Sequence, residues 1–82
     1  MKCLNITLAA VAQQLPDLRI KNPSFISKKA NNAQVNIYEH GTPRIFCELP
    51  AGGDKFQYEG EMNLKELDCT GTASQILIIN GV

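Results

Sequence analysis

The chain has no tryptophan, a single histidine and three cysteines in 82 residues. No apolar stretch approaches the roughly 20 residues that a membrane-crossing helix requires. Neither charge sign is in excess, because eight Lys and Arg face eight Asp and Glu. That balance excludes the overall basic character of a simple nucleic-acid binder. Three scattered cysteines are too few for a disulfide-dense scaffold, and their odd number leaves at least one thiol outside any internal disulfide. No Cys-x-x-Cys pair occurs, although Cys3, Cys47, Cys69 and His40 together would supply a Cys₃His set. Structural zinc sites draw on closely spaced ligand pairs, so no metal and no cofactor is expected. There is no Gly-x-Ser-x-Gly elbow, and Gly52-Gly53 leads into neither a phosphate-loop signature nor a helix pattern.

The sequence does hold enough apolar material to fold. At 44% hydrophobic against 20% charged it lies with globular chains rather than disordered ones. Its length allows one domain, residues 1–82, with a thin stability margin. Lys2 and the mostly apolar residues 3–12 resemble the start of a signal peptide. Asn5 and Thr7 interrupt that segment, so secretion is not expected. The odd thiol count points to a reducing, intracellular setting or the inside of an assembled particle.

Alternation dominates the pattern. Leu4, Ile6 and Leu8 alternate with Cys3, Asn5 and Thr7, a strand signal. Leu8, Val11 and Leu15 then recur at helical spacing until Pro16, which predicts a turn or two of helix after the strand. One helix over residues 6–15 is the alternative. Leu18 and Ile20 alternate with Arg19 and Lys21, and Asn22-Pro23-Ser24 breaks the run. Residues 34–38 and 44–49 alternate on either side of a five-residue link holding Gly41, a predicted hairpin with Ile45, Cys47 and Leu49 on one face. Phe56 and Tyr58 read as the next strand. Met62 and Leu64 have one parity and Leu67 and Cys69 the other, which predicts a bulge near Lys65-Glu66. The continuous apolar run Gln75–Ile79 predicts a strand buried on both faces, or one covered by an interface. Six to seven short strands make the chain mainly β, a small antiparallel sandwich or open barrel with one short N-terminal helix; α+β is the alternative class.

Reactive chemistry is scarce. A nucleophile–base pair would have to join His40 to Cys47 or Ser74, and Cys47 shares its face with hydrophobic residues. Glu59, Glu61, Glu66 and Asp68 read as a solvated acidic face rather than paired catalytic carboxylates. No catalytic residue is assigned, and no enzyme is expected. Charge, in contrast, is unevenly placed. Lys2, Arg19, Lys21, Lys28 and Lys29 outweigh Asp17 and Glu39 in the first half; Glu48, Asp54, Glu59, Glu61, Glu66 and Asp68 outweigh Arg44, Lys55 and Lys65 in the second. Such a body favours association with other subunits.

These observations define a non-enzymatic structural protein, a small β-rich assembly subunit acting through protein–protein interaction. Its edge strands and the run carrying Ile76 and Ile78 would be covered by other protein subunits, of its own kind or another. The profile suits an oligomer, and a virion or mobile-element component would fit it. The alternative is a monomeric binding module or inhibitor using Arg19, Lys21, Lys28 and Lys29, with Phe25 among them to stack on a base. Nucleic acid is the lesser of these partners, and no membrane partner is expected.

Overall fold

A computed structural model of the chain describes residues 1–50 and 52–82. Ten short strands follow one another: β1 (Lys2–Thr7), β2 (Gln13–Gln14), β3 (Arg19–Lys21), β4 (Ser24–Ser27), β5 (Val35–Glu39), β6 (Ile45–Leu49), β7 (Lys55–Gln57), β8 (Glu61–Asn63), β9 (Leu67–Thr70) and β10 (Ile76–Gly81). A 3₁₀ turn over Leu64–Glu66 separates β8 from β9. The protein is mainly β, as the alternation predicts. Two four-stranded antiparallel sheets, ordered β1-β10-β4-β7 and β2-β9-β5-β6, are joined by the pair β3-β8. The smallest dimension of the molecule, 17 Å, holds two layers of strands and not three.

The ten strands of the described residues exceed the expected six to seven because two longer strands are bent and because Gln13–Gln14, expected in a helix, pairs as a short strand. Asn22 adopts a left-handed backbone (φ 51°) and Pro23 cannot donate, so β3 and β4 form one strand with a break. Its partner breaks at the same level between β7 and β8. The ribbon holds across the bend, because Asn22 N–H donates to the Gly60 carbonyl at 2.8 Å and Tyr58 N–H to the Pro23 carbonyl at 2.9 Å.

The core is one cluster drawn from both layers. Phe25, Leu77 and Ile79 face inward from the first sheet, and Val35, Ile37, Leu49, Leu67 and Cys69 from the second. Phe25 meets Phe46 edge-to-face across the layers, with ring centroids 5.6 Å apart.

The structure corrects four local expectations. Residues 8–15 form no helix. Their backbone groups are taken by the sheets instead: Leu8 N–H donates to the Gln75 carbonyl, the Ala9 carbonyl accepts from Gly71 N–H, and Leu15 N–H donates to the Leu67 carbonyl. Leu8 and Leu15 are buried while Val11 is 72% exposed, so their helical spacing marks no common face. Ile45 does not point inward with Cys47. The register slips by one residue between Ile37↔Cys47 and Tyr38↔Ile45, which makes Phe46 a bulge and turns Ile45 to solvent. The parity change near Lys65 is made by the 3₁₀ turn rather than by a bulge; the Asn63 side chain accepts from Lys65 N–H at its start. Gln75 carries no strand position, and β10 is buried on alternate residues only.

Candidate functional site

The residues singled out by sequence fall into three separate places. Phe25 is fully buried in the core and presents no ring to solvent. It is therefore removed from the set of surface contacts, because its aromatic faces are occupied by Phe46 and Phe56. Arg19 and Lys21 lie on β3 at one end of the bent strand, Lys28 and Lys29 beyond β4 at the other. Six residues lie between Lys21 and Lys28, with the Asn22–Pro23 break among them. Arg19 is already paired, its Nη1 2.9 Å from Oε1 of Glu61, and Lys21 stands opposite Glu61 in the register. Opposite charges from the two halves of the chain thus interleave at the β3-β8 pair.

Ile76 and Ile78 come together on the outer face of the first sheet. Along β10 the fully buried Leu77 and Ile79 alternate with partly exposed Ile76, Ile78 and Asn80. The register carries the outer face sideways as Asn5–Ile78–Ile26–Lys55. The sheet thus presents Ile26, Ile76 and Ile78 at its centre with polar residues around them. Beyond them runs β1, an edge strand of six residues. Leu8 N–H pairs with the Gln75 carbonyl, and antiparallel alternation then turns the backbone groups of Cys3, Asn5 and Thr7 outward. Of these, the Thr7 carbonyl accepts from Gln13 Nε2 at 2.9 Å.

Sequence reasoning missed a different feature. His40 follows β5 and Asp68 sits in β9, and the pairing Tyr38↔Asp68, Glu39↔Leu67 brings their side chains together. His40 Nδ1 lies 2.7 Å from Asp68 Oδ1, and Gly41 N–H donates to Oδ2 at 3.1 Å. The hydrogen bond from His40 holds the Asp68 carboxyl below its ordinary value of 3.8, against the opposing effect of burial, with Gly41 N–H and the imidazole's charge adding to the lowering. An ionised carboxylate only accepts, so Nδ1 is the protonated ring nitrogen and Nε2 is left over. The ring is half exposed and lines an open cleft of about 590 Å³, floored by Phe46, Met62 and Leu67. The two residues are 28 positions apart, and no local motif announces the pair.

This arrangement does not complete a hydrolytic set. Neither proposed nucleophile lines the cleft with His40. Cys47 faces the core, and burial pushes its thiol up to about 12. Ser74 is in the β9–β10 connection, where its N–H meets the Leu8 carbonyl. Cys69 is buried too and its thiol is raised chiefly by that burial, opposed by a hydrogen bond from Gln13 and reinforced by Asp68. All three cysteines are free thiols, and among the described residues no group of three or more His, Cys, Asp or Glu is placed to hold a metal ion. No helix among the described residues is long and apolar enough to cross a membrane. No family model matches the chain, and neither a curated protein nor a solved structure matches it significantly.

Proposed function

We propose that the protein is a structural or interaction module, a small β-rich subunit that docks onto other protein subunits through the outer face of its first sheet. One observation carries the reading: Ile78 stands at the middle of that face, opposite Ile26 on the neighbouring strand and close to Ile76, where a sheet facing only water would place polar side chains. The open β1 edge beside it supports the same reading, since an uncovered edge invites pairing with another chain. Covering both would offset the thin margin of so small a core. A virion or mobile-element component would have these needs.

Sizing of the purified protein, and of the protein in a gentle lysate of its source cells, tests the reading. The expected result is a species heavier than 9.0 kDa that Ile78→Lys returns to the single-chain mass with its circular dichroism unchanged. A 9.0 kDa species under both conditions overturns it.

A further inference from the structure

The cleft beside His40 shares no residue with the sheet face just described, and it has the makings of a ligand site. Its floor is apolar and adaptable: Phe46, Met62 and Leu67, with Phe46 braced by Phe56 and Tyr58 at centroid distances of 5.6 and 5.7 Å. Its volume, about 590 Å³, is in the range that accepts a small organic molecule.

Three polar residues at the mouth, Glu39, His40 and Glu66, offer acceptors, while the Gln14 amide on the same wall is engaged with the Lys65 carbonyl. Asp68 takes the proton side of the His40 ring, so the neutral imidazole offers Nε2 as an acceptor. Glu66 lies against His40, whose N–H donates to the Glu66 carbonyl at 2.8 Å. Its exposed carboxylate forms none of the ion pairs found among the described residues. Glu39 adds a second carboxylate, with Arg44 Nη1 3.9 Å from its Oε2. Lys65 is the one permanent cation on the wall. An apolar floor beneath two carboxylates and an imidazole acceptor is complementary to an organic cation and repels an organic anion.

We propose that this cleft binds a small primary ammonium compound with an aromatic or alkyl body. The body lies on Phe46, Met62 and Leu67, and the ammonium group sits between the Glu66 carboxylate and Nε2 of His40. The groups facing His40 are Asp68 on β9, Glu66 and Lys65 on the 3₁₀ turn, and Glu39 with its partner Arg44 on the β5–β6 hairpin.

Titration with 2-phenylethylammonium chloride at about pH 8, followed by backbone amide NMR shifts, tests this. The expected result is saturable shifts concentrated at residues 39–41, 46 and 62–67, with a Kd on the order of 1 mM. Phenylacetate, the anion of matching shape, binds at least about tenfold more weakly. Glu66→Gln, an exposed change that leaves the backbone carbonyl in place, weakens the ammonium compound about five- to tenfold. The absence of saturation by about 10 mM, equal affinity for phenylacetate, or an unchanged Kd in a folded Glu66→Gln protein overturns the proposal. The comparison of the cation with the anion uses the unmodified chain, so it decides the matter even if the variant is poorly folded.

Discussion

The side-chain amide of Asn31 holds both backbone polar groups of Ile76. Asn31 Oδ1 accepts from Ile76 N–H at 3.0 Å, and Nδ2 donates to the Ile76 carbonyl at 2.7 Å. Nδ2 also reaches Ser27 Oγ at 3.1 Å, and Asn31 is almost fully buried. The amide acts as one more residue of strand, tying the turn after β4 to the start of β10.

Asn31→Ala leaves Ile76 N–H without its partner in a part-buried site. Urea unfolding should show a loss of about 2–3 kcal/mol. The neighbouring Asn32 is exposed and only accepts from Gln75 Nε2, so Asn32→Ala should stay within about 0.5 kcal/mol. Equal effects at the two positions would show that the clamp adds nothing.

The same corner predicts opposite behaviour for two adjacent glycines. A Cβ at Gly52 would come within 2.3 Å of the Lys29 carbonyl oxygen and 2.6 Å of that of Asn31, and backbone cannot swing aside as a flexible side chain does. Gly52→Ala should cost about 2–3 kcal/mol. Gly53 has open space around its would-be Cβ but a φ of +95°, so Gly53→Ala pays only for the backbone, about 1 kcal/mol. Thermal melts of the pair separate crowding from conformational strain.

Where the sequence was legible, the signal was local. The β5–β6 hairpin could be read because Val35, Ile37, Cys47 and Leu49 keep a two-residue period and face the core on both strands. Ile45 was misplaced because a bulge at Phe46 leaves no mark on the pattern. The alanine-rich segment after β1 suggested helix because propensity is a local quantity, whereas the partners that hold it extended, Gln75, Gly71 and Leu67, lie more than 50 residues away in the chain. Ile76 and Ile78 were legible as an apolar run, but their outward side was not. The His40–Asp68 pair exists only because β5 lies against β9, and alternation within either strand contains no trace of it.

Thiol chemistry should divide the cysteines. Cys3 is exposed on the β1 edge, while Cys47 and Cys69 are buried with raised thiols. A disulfide reagent at neutral pH should titrate one thiol rapidly in the folded protein and all three after denaturation. The raised Cys47 also predicts an alkaline weakness. The unfolded chain releases this proton from its ordinary 9.0 upward while the folded protein keeps it to about 12, so stability falls as pH rises from about 9. Cys47→Ala should flatten that fall; an unchanged slope would place its origin in other groups.

Asp68 predicts a complementary loss in acid. Its folded carboxyl titrates below the ordinary 3.8, so its contribution is fully present above that value and disappears as pH falls toward the lower folded one. Asp68→Asn keeps an oxygen for His40 Nδ1 but turns an amide toward Gly41 N–H, donor against donor. At about pH 6 the variant should melt below the unmodified protein, and the gap between the two melting temperatures should shrink as pH falls below 3.8 and the carboxyl takes up its proton. A gap of constant size across this range would mean that Asp68 stabilises the hairpin by shape alone. The imidazole would then lack the charged anchor that fixes its proton on Nδ1 and leaves Nε2 to accept.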